Sequence, residues 1–395
     1  MSGGSPCFNR EVIIFGRNFI NVLGQIRSFG EAGIKPVLVW LDESVLTPKE
    51  SKYIAEYYEV KSIQEGIDFI IAKFAEVGRK KVLLSDNDEI ITSFDKNFDK
   101  LEGYFFFFRT RERGKMALAM QKEYQCRLAS KYNMNPPRSE IVNVGAFPST
   151  LRYPIISKVT DSTDYKHWKG YQVVCKNEGE LREAYEKTFS DFTGHDKILL
   201  QEFIEKVNEL QVEGVSYNYG EELFLPLQVL SHRQHKNGYG TYKYAEPYNS
   251  GEDLKRDIQN LLKEIGYSGV FEVEFLVGVD GQLYFLEINL RFTLFNYLLP
   301  QMGTNLGLIW AQAERGGVLN TDGIEISKKS LSVIYDDRDF QLSVLNGNVK
   351  WYRQLKDFFV SDFYLIWNKK DLKPVCSYWF RRVKSIVKRH LLRSK

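Results

Sequence analysis

Short apolar runs alternate with stretches of helical periodicity over the first hundred residues. The run Val12–Phe15 ends at Gly16, and apolar residues then recur at helical spacing before a second run over Val37–Leu41. This β-turn-α-β order within about 30 residues predicts a parallel unit. A further helix and strand, followed by the aromatic run Tyr104–Phe108, repeat the pattern. We therefore predict a doubly wound parallel α/β domain over residues 1–110.

The pattern changes in the middle of the chain. Apolar residues every three to four positions predict one helix over Met116–Lys131. Later segments alternate with period two, and the Asp280-Gly281 turn predicts that strands Val270–Val277 and Leu283–Asn289 form an antiparallel hairpin. A long polar and aromatic loop is expected over Ser231–Ser250. The middle and later parts of the chain are therefore expected to be α+β.

Charge and composition exclude several classes of protein. The chain has 54 Lys and Arg against 51 Asp and Glu in 395 residues, and this balance does not suggest a nucleic-acid partner. No apolar run approaches the roughly 18–20 residues of a membrane-spanning helix. The 4 cysteines form no CxxC pair, which is typical of a reducing compartment. We expect a cytoplasmic protein with two or three domains.

The first turn invites comparison with a dinucleotide-binding site. A Rossmann fingerprint needs three glycines at fixed spacing, so that the turn is tight and the pyrophosphate can approach the backbone. In Gly16-Arg17-Asn18 only Gly16 is well placed, and Gly24 lies too far along the chain. A tight turn in a parallel sheet is the simpler interpretation. A nicotinamide oxidoreductase using residues 11–41 stays open as an alternative.

The densest chemical signal lies on the late hairpin. Glu272 and Glu274 share one face of its first strand, and Glu287, Asn289 and Arg291 share one face of the second, because side chains alternate with period two. Buried charges are costly unless they are paired or bind a metal, and such oxygen ligands suit Mg²⁺. The alternative is an open face that carries ordinary surface charges. Spacing alone does not decide between the two.

The same segments resemble a known superfamily. Phe271–Phe275, the Asp280-Gly281 turn and Tyr284–Arg291 resemble the metal-binding end of the ATP-grasp superfamily, which includes ATP-dependent carboxylate–amine ligases, biotin carboxylase and the carbamoyl phosphate synthetase large subunit. Within it, the sequence looks most similar to ligases of the D-aspartate ligase kind. The resemblance follows most of the chain in order. It implies a two-lobed ATP-grasp fold after the α/β domain.

The resemblance also implies domain boundaries. The small ATP-grasp lobe would span residues 111–200, and the large lobe with the metal site would span residues 201–325. A C-terminal segment with a basic amphipathic tail would occupy residues 326–395. A phosphate-covering lid is expected over Thr160–Gly170, although that loop is not rich in glycine.

Nucleotide-binding residues follow from the resemblance. Lys122 and Lys158 match the two lysines that would neutralise the phosphates of ATP, each as a point charge on a flexible stem. A hinge strand would present its backbone groups to adenine, and Glu202 or Glu205 would bind the adenine amine or a ribose hydroxyl. The expected residues of this strand are Gln201, Glu202, Phe203, Ile204 and Glu205.

Metal and catalytic residues are implied in the same way. Glu274, Glu287 and Asn289 would bind Mg²⁺, with two ions expected and Mn²⁺ as an alternative metal. Arg291 would be the catalytic residue, since its fixed fork of donors suits a transferring phosphoryl group or an acyl phosphate. Leu290 departs from the proline of many relatives, and Phe292–Phe295 lacks their small residues. These departures leave the acceptor substrate open.

The implied activity is an ATP-dependent ligation. A small-molecule carboxylate would be activated as an acyl phosphate, and an amine would then form an amide or peptide bond, with ADP and phosphate released. The substrates could be amino acids or cell-envelope precursors. One alternative is carboxyl activation of the biotin carboxylase or carbamoyl phosphate type. Another is a non-catalytic ATP-binding interaction protein.

Two further segments carry weaker signals. His232 and His235 have the spacing of a metal pair, but their polar, basic loop favours a solvated or substrate-facing segment. From Cys376 to Lys395 there are seven Lys or Arg and no acid, with apolar residues at helical spacing. This pattern predicts a basic amphipathic helix. Such a helix would contact a membrane surface through residues 379–395 or pack on the protein body with its basic face solvated.

Overall fold

The computed structural model describes residues 10–41, 46–159, 173–186, 197–233, 240–345, 347 and 349–393, and the side chains of all of these except 159 and 385–393. The expected lid over Thr160–Gly170 and the residue His235 lie outside the described part. So do the side chains of most of the basic tail.

A five-stranded parallel sheet forms the N-terminal domain. Its strands are β1 (Val12–Gly16), β2 (Val37–Leu41), β3 (Glu56–Val60), β4 (Lys81–Leu84) and β5 (Phe105–Phe106). They are arranged in the order β3-β2-β1-β4-β5, and every pairing is parallel. The central strand β1 is apolar and fully buried, as expected where helices cover both faces of a sheet. The predicted parallel α/β domain is confirmed.

Four helices connect these strands. They are α1 (Phe19–Glu31), α2 (Ile63–Phe74), α3 (Asp88–Lys96) and α4 (Phe98–Leu101). The Asn18 side chain accepts hydrogen bonds from the backbone N–H groups of Ile20 and Asn21, and it thereby starts α1. Beside it, the Asp86 carboxylate accepts from the N–H groups of Arg17 and Asn18 at 3.4 and 3.2 Å. The start of α1 is therefore satisfied by protein groups.

The linking region contains two helices rather than one. The single helix predicted over Met116–Lys131 is wrong, because the chain forms α5 (Lys115–Ala119) and α6 (Lys122–Lys131). The Gln125 side-chain amide donates to the carbonyl oxygen of Ala119 at 2.8 Å, which supplies a donor at the break. A short strand, β6 (Arg109–Thr110), precedes them. The break places Lys122 in the first turn of a new helix.

The small lobe is an antiparallel sheet with its own hydrophobic core. Its elements are β7 (Ser139–Asn143), β8 (Ile155–Val159), β9 (Val173–Cys175), α7 (Glu178–Ala184) and β10 (Lys197–Glu202). The strand order is β7-β10-β8-β9. Ile155, Leu181 and Leu200 belong to a buried cluster separate from the main core. This separation is what makes the segment a distinct lobe.

The large lobe is built on a long sheet that is antiparallel except for the last pair of strands at one edge. Its strands are β11 (Lys206–Tyr217), β12 (Glu222–Ser231), β13 (Tyr242–Pro247), β14 (Tyr267–Gly278), β15 (Leu283–Asn289), β16 (Leu331–Ile334) and β17 (Phe363–Tyr364). Its helices are α8 (Glu252–Ile265), α9 (Leu298–Gln301) and α10 (Leu306–Gly316). The order is β15-β14-β11-β12-β13-β16-β17, and β6 also pairs with β14. The predicted loop over Ser231–Ser250 is therefore wrong, since β13 lies within it.

The C-terminal segment packs back on the molecule. It contains α11 (Asp336–Asp339), a π-helical stretch over Phe340–Leu345, α12 (Trp351–Val360) and α13 (Leu372–Arg393). Arg27 of α1 is fully buried against Asp371, with Nε 3.3 Å from Oδ2. In the described part of the chain, no helix is both long and apolar enough to cross a bilayer. The predicted domain boundaries stay predictions, although β16 and β17 of segment 326–395 join the large sheet.

Candidate active site

The predicted metal-binding residues meet on neighbouring strands. Glu274 of β14 lies directly opposite Glu287 of β15, and Glu272 lies opposite Asn289. The Asn289 amide nitrogen is 3.2 Å from a carboxylate oxygen of Glu272 and 3.2 Å from one of Glu274. Three carboxyl groups and one amide are thus gathered on one face of the hairpin. Glu272 was on the sequence-predicted face but outside the predicted metal set.

Burial and mutual repulsion disfavour full ionisation of this cluster. Burial, followed by the charge of Glu213, raises the pKa of Glu272 to about 7. Burial, and then the charges of Glu272 and Glu287, hold the pKa of Glu274 well above its usual value. Glu287 differs, because Lys122, Arg291 and Lys158 outweigh the effect of burial and lower its pKa. A bound cation would favour the ionised forms of Glu272 and Glu274 and lower their pKa values.

Strand β11 adds a carboxyl group that the sequence did not reveal. Glu213 is 2% exposed and lies opposite Glu272, and its Oε1 atom has no hydrogen-bonding partner within the described structure. Burial raises the pKa of Glu213 to about 8. The alternation Glu209-x-Gln211-x-Glu213 indicates that the three side chains share one face of a strand. The sequence did not show that this strand, β11, would pair with β14.

Lys243 of β13 supplies a buried positive charge beside this cluster. It is 1% exposed, and its Nζ atom donates to Gln211 Oε1 at 2.6 Å and lies 3.6 Å from Glu209 Oε2. The ring of Phe295 lies 5.0 Å from the same nitrogen. Lys243 falls within the segment that the sequence predicted to be a loop, so its place in the site was missed.

The buried carboxyl of Glu213 predicts a stability change with a pH signature. The pKa of Glu213 rises from 4.5 to about 8 on folding, so its contribution to stability is complete below pH 4.5 and is lost as pH rises through about 8. Glu213→Gln should therefore raise the free energy of unfolding by about 2 kcal/mol at pH 8.5 and change it little near pH 4.5. Urea unfolding at both pH values measures this.

Glu252→Gln serves as the control for that measurement, because the Glu252 side chain is 84% exposed. It should leave stability unchanged at both pH values. A Glu213→Gln variant that was less stable than wild type at pH 8.5 would contradict the argument.

Both predicted lysines lie next to the carboxylates. Lys122 Nζ is 3.4 Å from Glu287 Oε2. Lys158 of β8 is 7% exposed and donates to Gln201 Oε1 at 2.7 Å. Burial, and then the charge of Lys122, lowers the pKa of Lys158 to about 8. Two positive charges from different elements thus face Glu287, an arrangement suited to an anionic ligand.

Gln125 fixes the position of Lys122 relative to β15, one of the two strands that carry the candidate metal ligands. Its side-chain amide donates to the carbonyl oxygen of Ile288 at 2.9 Å and accepts from the Ile288 N–H at 3.2 Å. The side chain therefore pairs with β15 much as a neighbouring strand would. This contact joins α6 to β15, so that Lys122 and Glu287 are held together.

Several groups of the predicted adenine-facing strand already bind other parts of the protein. The Glu202 N–H donates to the Arg138 carbonyl, and the Glu205 carbonyl accepts from the Val279 N–H. The Glu202 carboxylate is paired with Arg138 at 3.2 Å. Phe203 N–H donates to Pro154, whereas no protein partner within the described residues binds the N–H of Ile204. The N–H of Ile204 is therefore open to a ligand as far as the described residues are concerned.

Arg291 is held by the N-terminal domain. Its Nε atom donates to Asp88 Oδ1 at 2.6 Å, and its Nη2 atom donates to Asn289 Oδ1 at 3.2 Å. Asp88 begins α3, so this ion pair joins the α/β domain to the end of the β14–β15 hairpin. The sequence gave no sign of this partner, because the two residues are 203 positions apart.

The donor set fits a hard divalent cation. Mg²⁺ takes one or two carboxylates together with phosphate oxygens and water, and Glu274 and Glu287 face each other in that role. Among the residues with described positions, no group of three or more His, Cys, Asp or Glu is arranged to hold a metal ion by itself. A site completed by ligand phosphates agrees with both observations. The side-chain oxygen of Asn289 faces Arg291. For Asn289 to bind a metal, its side-chain amide must rotate so that this oxygen points toward the carboxylates.

His232 and Arg233, at the end of β12, contact other parts of the protein. Arg233 donates to Asp339 at 2.7 Å and pairs with Asp357, and these contacts fasten β12 to the C-terminal segment. His232 packs against the rings of Tyr242 and Tyr244 at 4.6 and 4.4 Å. Arg233 is therefore bound to protein carboxylates.

Comparison with known proteins identifies the arrangement. Residues 122–314 match the family described as carbamoyl-phosphate synthase L chain, ATP binding domain, and this range runs from Lys122 to beyond Arg291. Residues 122–314, just under half of the chain, therefore match an ATP-binding domain of the ATP-grasp type. The predicted two-lobed ATP-grasp fold is confirmed.

Solved ATP-grasp structures share this fold. Biotin carboxylase from Campylobacter jejuni matches with a TM-score of 0.64 and 15% identity, over 83% of this chain and 76% of that one. An L-amino acid ligase from Bacillus licheniformis matches with a TM-score of 0.60 and 13% identity, over 81% of this chain and 78% of that one. Identities this low establish the fold of this ATP-grasp protein and leave its substrates open.

A larger protein matches part of this chain in sequence. Mitochondrial pyruvate carboxylase from Rattus norvegicus is 28% identical over 184 residues, which cover 45% of this chain. The chain spans 15% of the length of that relative. The similarity therefore concerns one part of a larger protein.

Proposed function

We propose that this chain is an ATP-dependent carboxylate–amine ligase. A substrate carboxylate oxygen attacks the γ-phosphorus of ATP, which releases ADP and forms an acyl phosphate. A neutral amine then attacks the acyl carbon. Inorganic phosphate leaves, the nitrogen loses a proton, and an amide or peptide bond results.

One observation carries the proposal. Glu274 lies directly opposite Glu287 on the neighbouring strand, and Lys122 Nζ lies 3.4 Å from Glu287 Oε2. Glu274, Glu287 and Asn289 would hold Mg²⁺ as one or two ions, with Mn²⁺ as a substitute. When bound, the metal neutralises charge on the transferring phosphoryl group. Phosphoryl transfer needs little from the protein beyond positioning and charge neutralisation, which this residue set can supply.

The remaining residues have roles in the same scheme. Lys122 and Lys158 would bind the phosphates of ATP, and Ile204 would bind adenine through its backbone. Arg291 would bind the acyl phosphate, with Asp88 orienting its guanidinium group. An ATP-grasp family match and the similar fold of an L-amino acid ligase support this assignment.

A phosphate-release screen tests the proposal. The purified protein is incubated with ATP, Mg²⁺ and pairs of amino acids, and release should require one carboxylate and one amine together. ADP formation that needs bicarbonate and no amine would move the chain to the carboxylase or carbamoyl phosphate type. ATP binding without turnover on any pair would favour a non-catalytic interaction protein.

The nicotinamide alternative fits the first turn poorly. The place where a pyrophosphate would meet the start of α1 holds the Asp86 carboxylate, which accepts from the N–H groups of Arg17 and Asn18. A Cβ atom at Gly16 would lie 2.6 Å from Asp86 Oδ1, so the glycine makes room for this side chain. A second anion there would be repelled.

The proposed setting is the cytoplasm, with small-molecule carboxylate and amine substrates and no nucleic-acid partner. The sequence also suggested membrane contact through residues 379–395. None of the compared proteins supports that contact, so the argument for it has to come from the surface of this chain alone.

A further inference from the structure

Helix α12 exposes an apolar stripe to solvent. Trp351, Tyr352, Leu355 and Phe359 recur on one helical face and are 63, 49, 43 and 74% exposed. The polar side chain of Gln354 is buried at 6% exposure. A helix of a water-soluble protein normally has the reverse arrangement. The stripe therefore needs an apolar surface to cover it.

Helix α13 carries a second stripe of the same kind. Leu372, Trp379, Phe380 and Val383 recur on one face and are 46, 37, 72 and 56% exposed. The opposite face is anchored, since the Tyr378 ring packs 5.3 Å from that of Phe19. The outward direction of the stripe thus follows from how the helix is fixed to the body.

Helix α12 is anchored in a similar way. Asp357 pairs with Arg233, and the Phe358 carbonyl accepts from the Tyr364 hydroxyl. These contacts lie away from Trp351, Leu355 and Phe359. Both stripes are consequently surfaces of fixed helices, and within them Phe359 and Trp379 also touch the neighbouring rings of Phe358 and Tyr378.

The charges around the stripes are basic. Lys350, Arg353 and Lys356 are exposed beside the first stripe, and the acid of that helix, Asp357, is already paired with Arg233. Lys373 and Lys384 are exposed beside the second. From Leu372 to Lys395 the sequence contains no Asp or Glu.

Aromatic and aliphatic side chains edged by Lys and Arg match the headgroup region of an anionic bilayer. Tryptophan favours the boundary between water and hydrocarbon, and basic side chains are attracted to anionic lipid. We propose that the outward stripes of α12 and α13 form a surface that binds this protein peripherally to an anionic membrane. The inference goes beyond the proposed ligase activity and does not depend on it.

Vesicle co-sedimentation of the full chain tests the proposal. Binding should occur to vesicles of phosphatidylglycerol mixed with phosphatidylcholine, should be at least tenfold weaker with phosphatidylcholine alone, and should weaken with added salt. Trp351→Ser/Phe359→Ser and Phe380→Ser/Val383→Ser should each reduce the partition constant at least tenfold. Their melting temperatures should stay close to wild type, because the replaced side chains are already exposed to water.

Val77→Ser/Val318→Ser is the matched control. It removes two apolar side chains that are 89 and 55% exposed on other parts of the surface, and it should leave vesicle binding unchanged. Equal binding to neutral vesicles, or a loss confined to the α13 variant, would overturn the two-helix surface. So would an absence of vesicle binding together with concentration-dependent self-association that the stripe variants abolish, since that result would assign the surface to a second copy of this chain.

Discussion

Glu287→Gln should lower the rate of ATP-dependent ADP release by roughly 10²–10³ while the protein stays folded. Glu287 is the carboxylate of the cluster whose pKa is lowered, because Lys122, Arg291 and Lys158 outweigh its burial. It is therefore ionised at neutral pH and is the strongest candidate ligand for a divalent cation. The amide of glutamine keeps the size of the side chain but removes that charge.

Steady-state ADP release and equilibrium nucleotide binding should be measured on the same preparation. Binding of ATP should persist within a few-fold, since Lys122, Lys158 and the strand up to Ile204 are untouched. Glu252→Gln, an exposed carboxylate on α8, should turn over like wild type. Turnover undiminished in Glu287→Gln would contradict the proposed metal site, and equally low turnover in both proteins would favour a nucleotide-binding protein without chemistry.

Asp371→Asn should lower the free energy of unfolding by about 3–5 kcal/mol. Arg27 and Asp371 have side chains only 0 and 2% exposed, and they join α1 to the C-terminal segment. Arg27 also donates to the carbonyl oxygens of Leu365 and Ile366 at 3.3 and 3.0 Å. Neutralising Asp371 leaves a buried guanidinium group without its counter-charge, which is far costlier than losing a surface pair.

Urea unfolding measures this loss, with Glu178→Gln as the control. Glu178 pairs with Arg182 on α7, and both side chains are about 60% exposed, so removing that pair should change stability by at most about 0.5 kcal/mol. A loss below about 1 kcal/mol in Asp371→Asn would show that the C-terminal segment is not held by this ion pair.

The carboxylate cluster explains why the free protein is expected to be less stable than its liganded form. Glu213, Glu272 and Glu274 have raised pKa values because burial and mutual repulsion oppose their ionisation. A bound divalent cation would remove that repulsion and stabilise the folded state by mass action. Charges of this kind are retained where function requires them, at a cost in stability.

Local pattern determined much of this protein. Period-two alternation placed Glu272 and Glu274 on one strand face and Glu287 and Asn289 on the next, and the Asp280-Gly281 turn predicted that the two strands pair. The pairing of the strands was within reach because a hairpin is a local structure. The register at the acids was not, because a bulge between Glu274 and Phe275 shifts it by one residue and places Glu274 opposite Glu287.

Polar residues on buried strands misled the sequence reasoning. Tyr242–Pro247 was predicted to be loop because it contains Lys243 and Glu246, yet it is a strand whose lysine faces the carboxylate cluster. The helix predicted over Met116–Lys131 breaks between Ala119 and Lys122, and the side chain of Gln125, in the second helix, binds Ala119 and Ile288. In both cases a functional site overrides the hydrophobic pattern.

By itself, the sequence determined the parallel α/β domain, the late hairpin and the face on which its acids lie. Only the tertiary structure decided that Asp88 would hold Arg291, that Lys122 would meet Glu287, and that β11 would bring Glu213 beside Glu272. The physical reason is that residue periodicity fixes the direction of a side chain relative to its own strand or helix. Which elements become neighbours depends on packing between segments far apart along the chain.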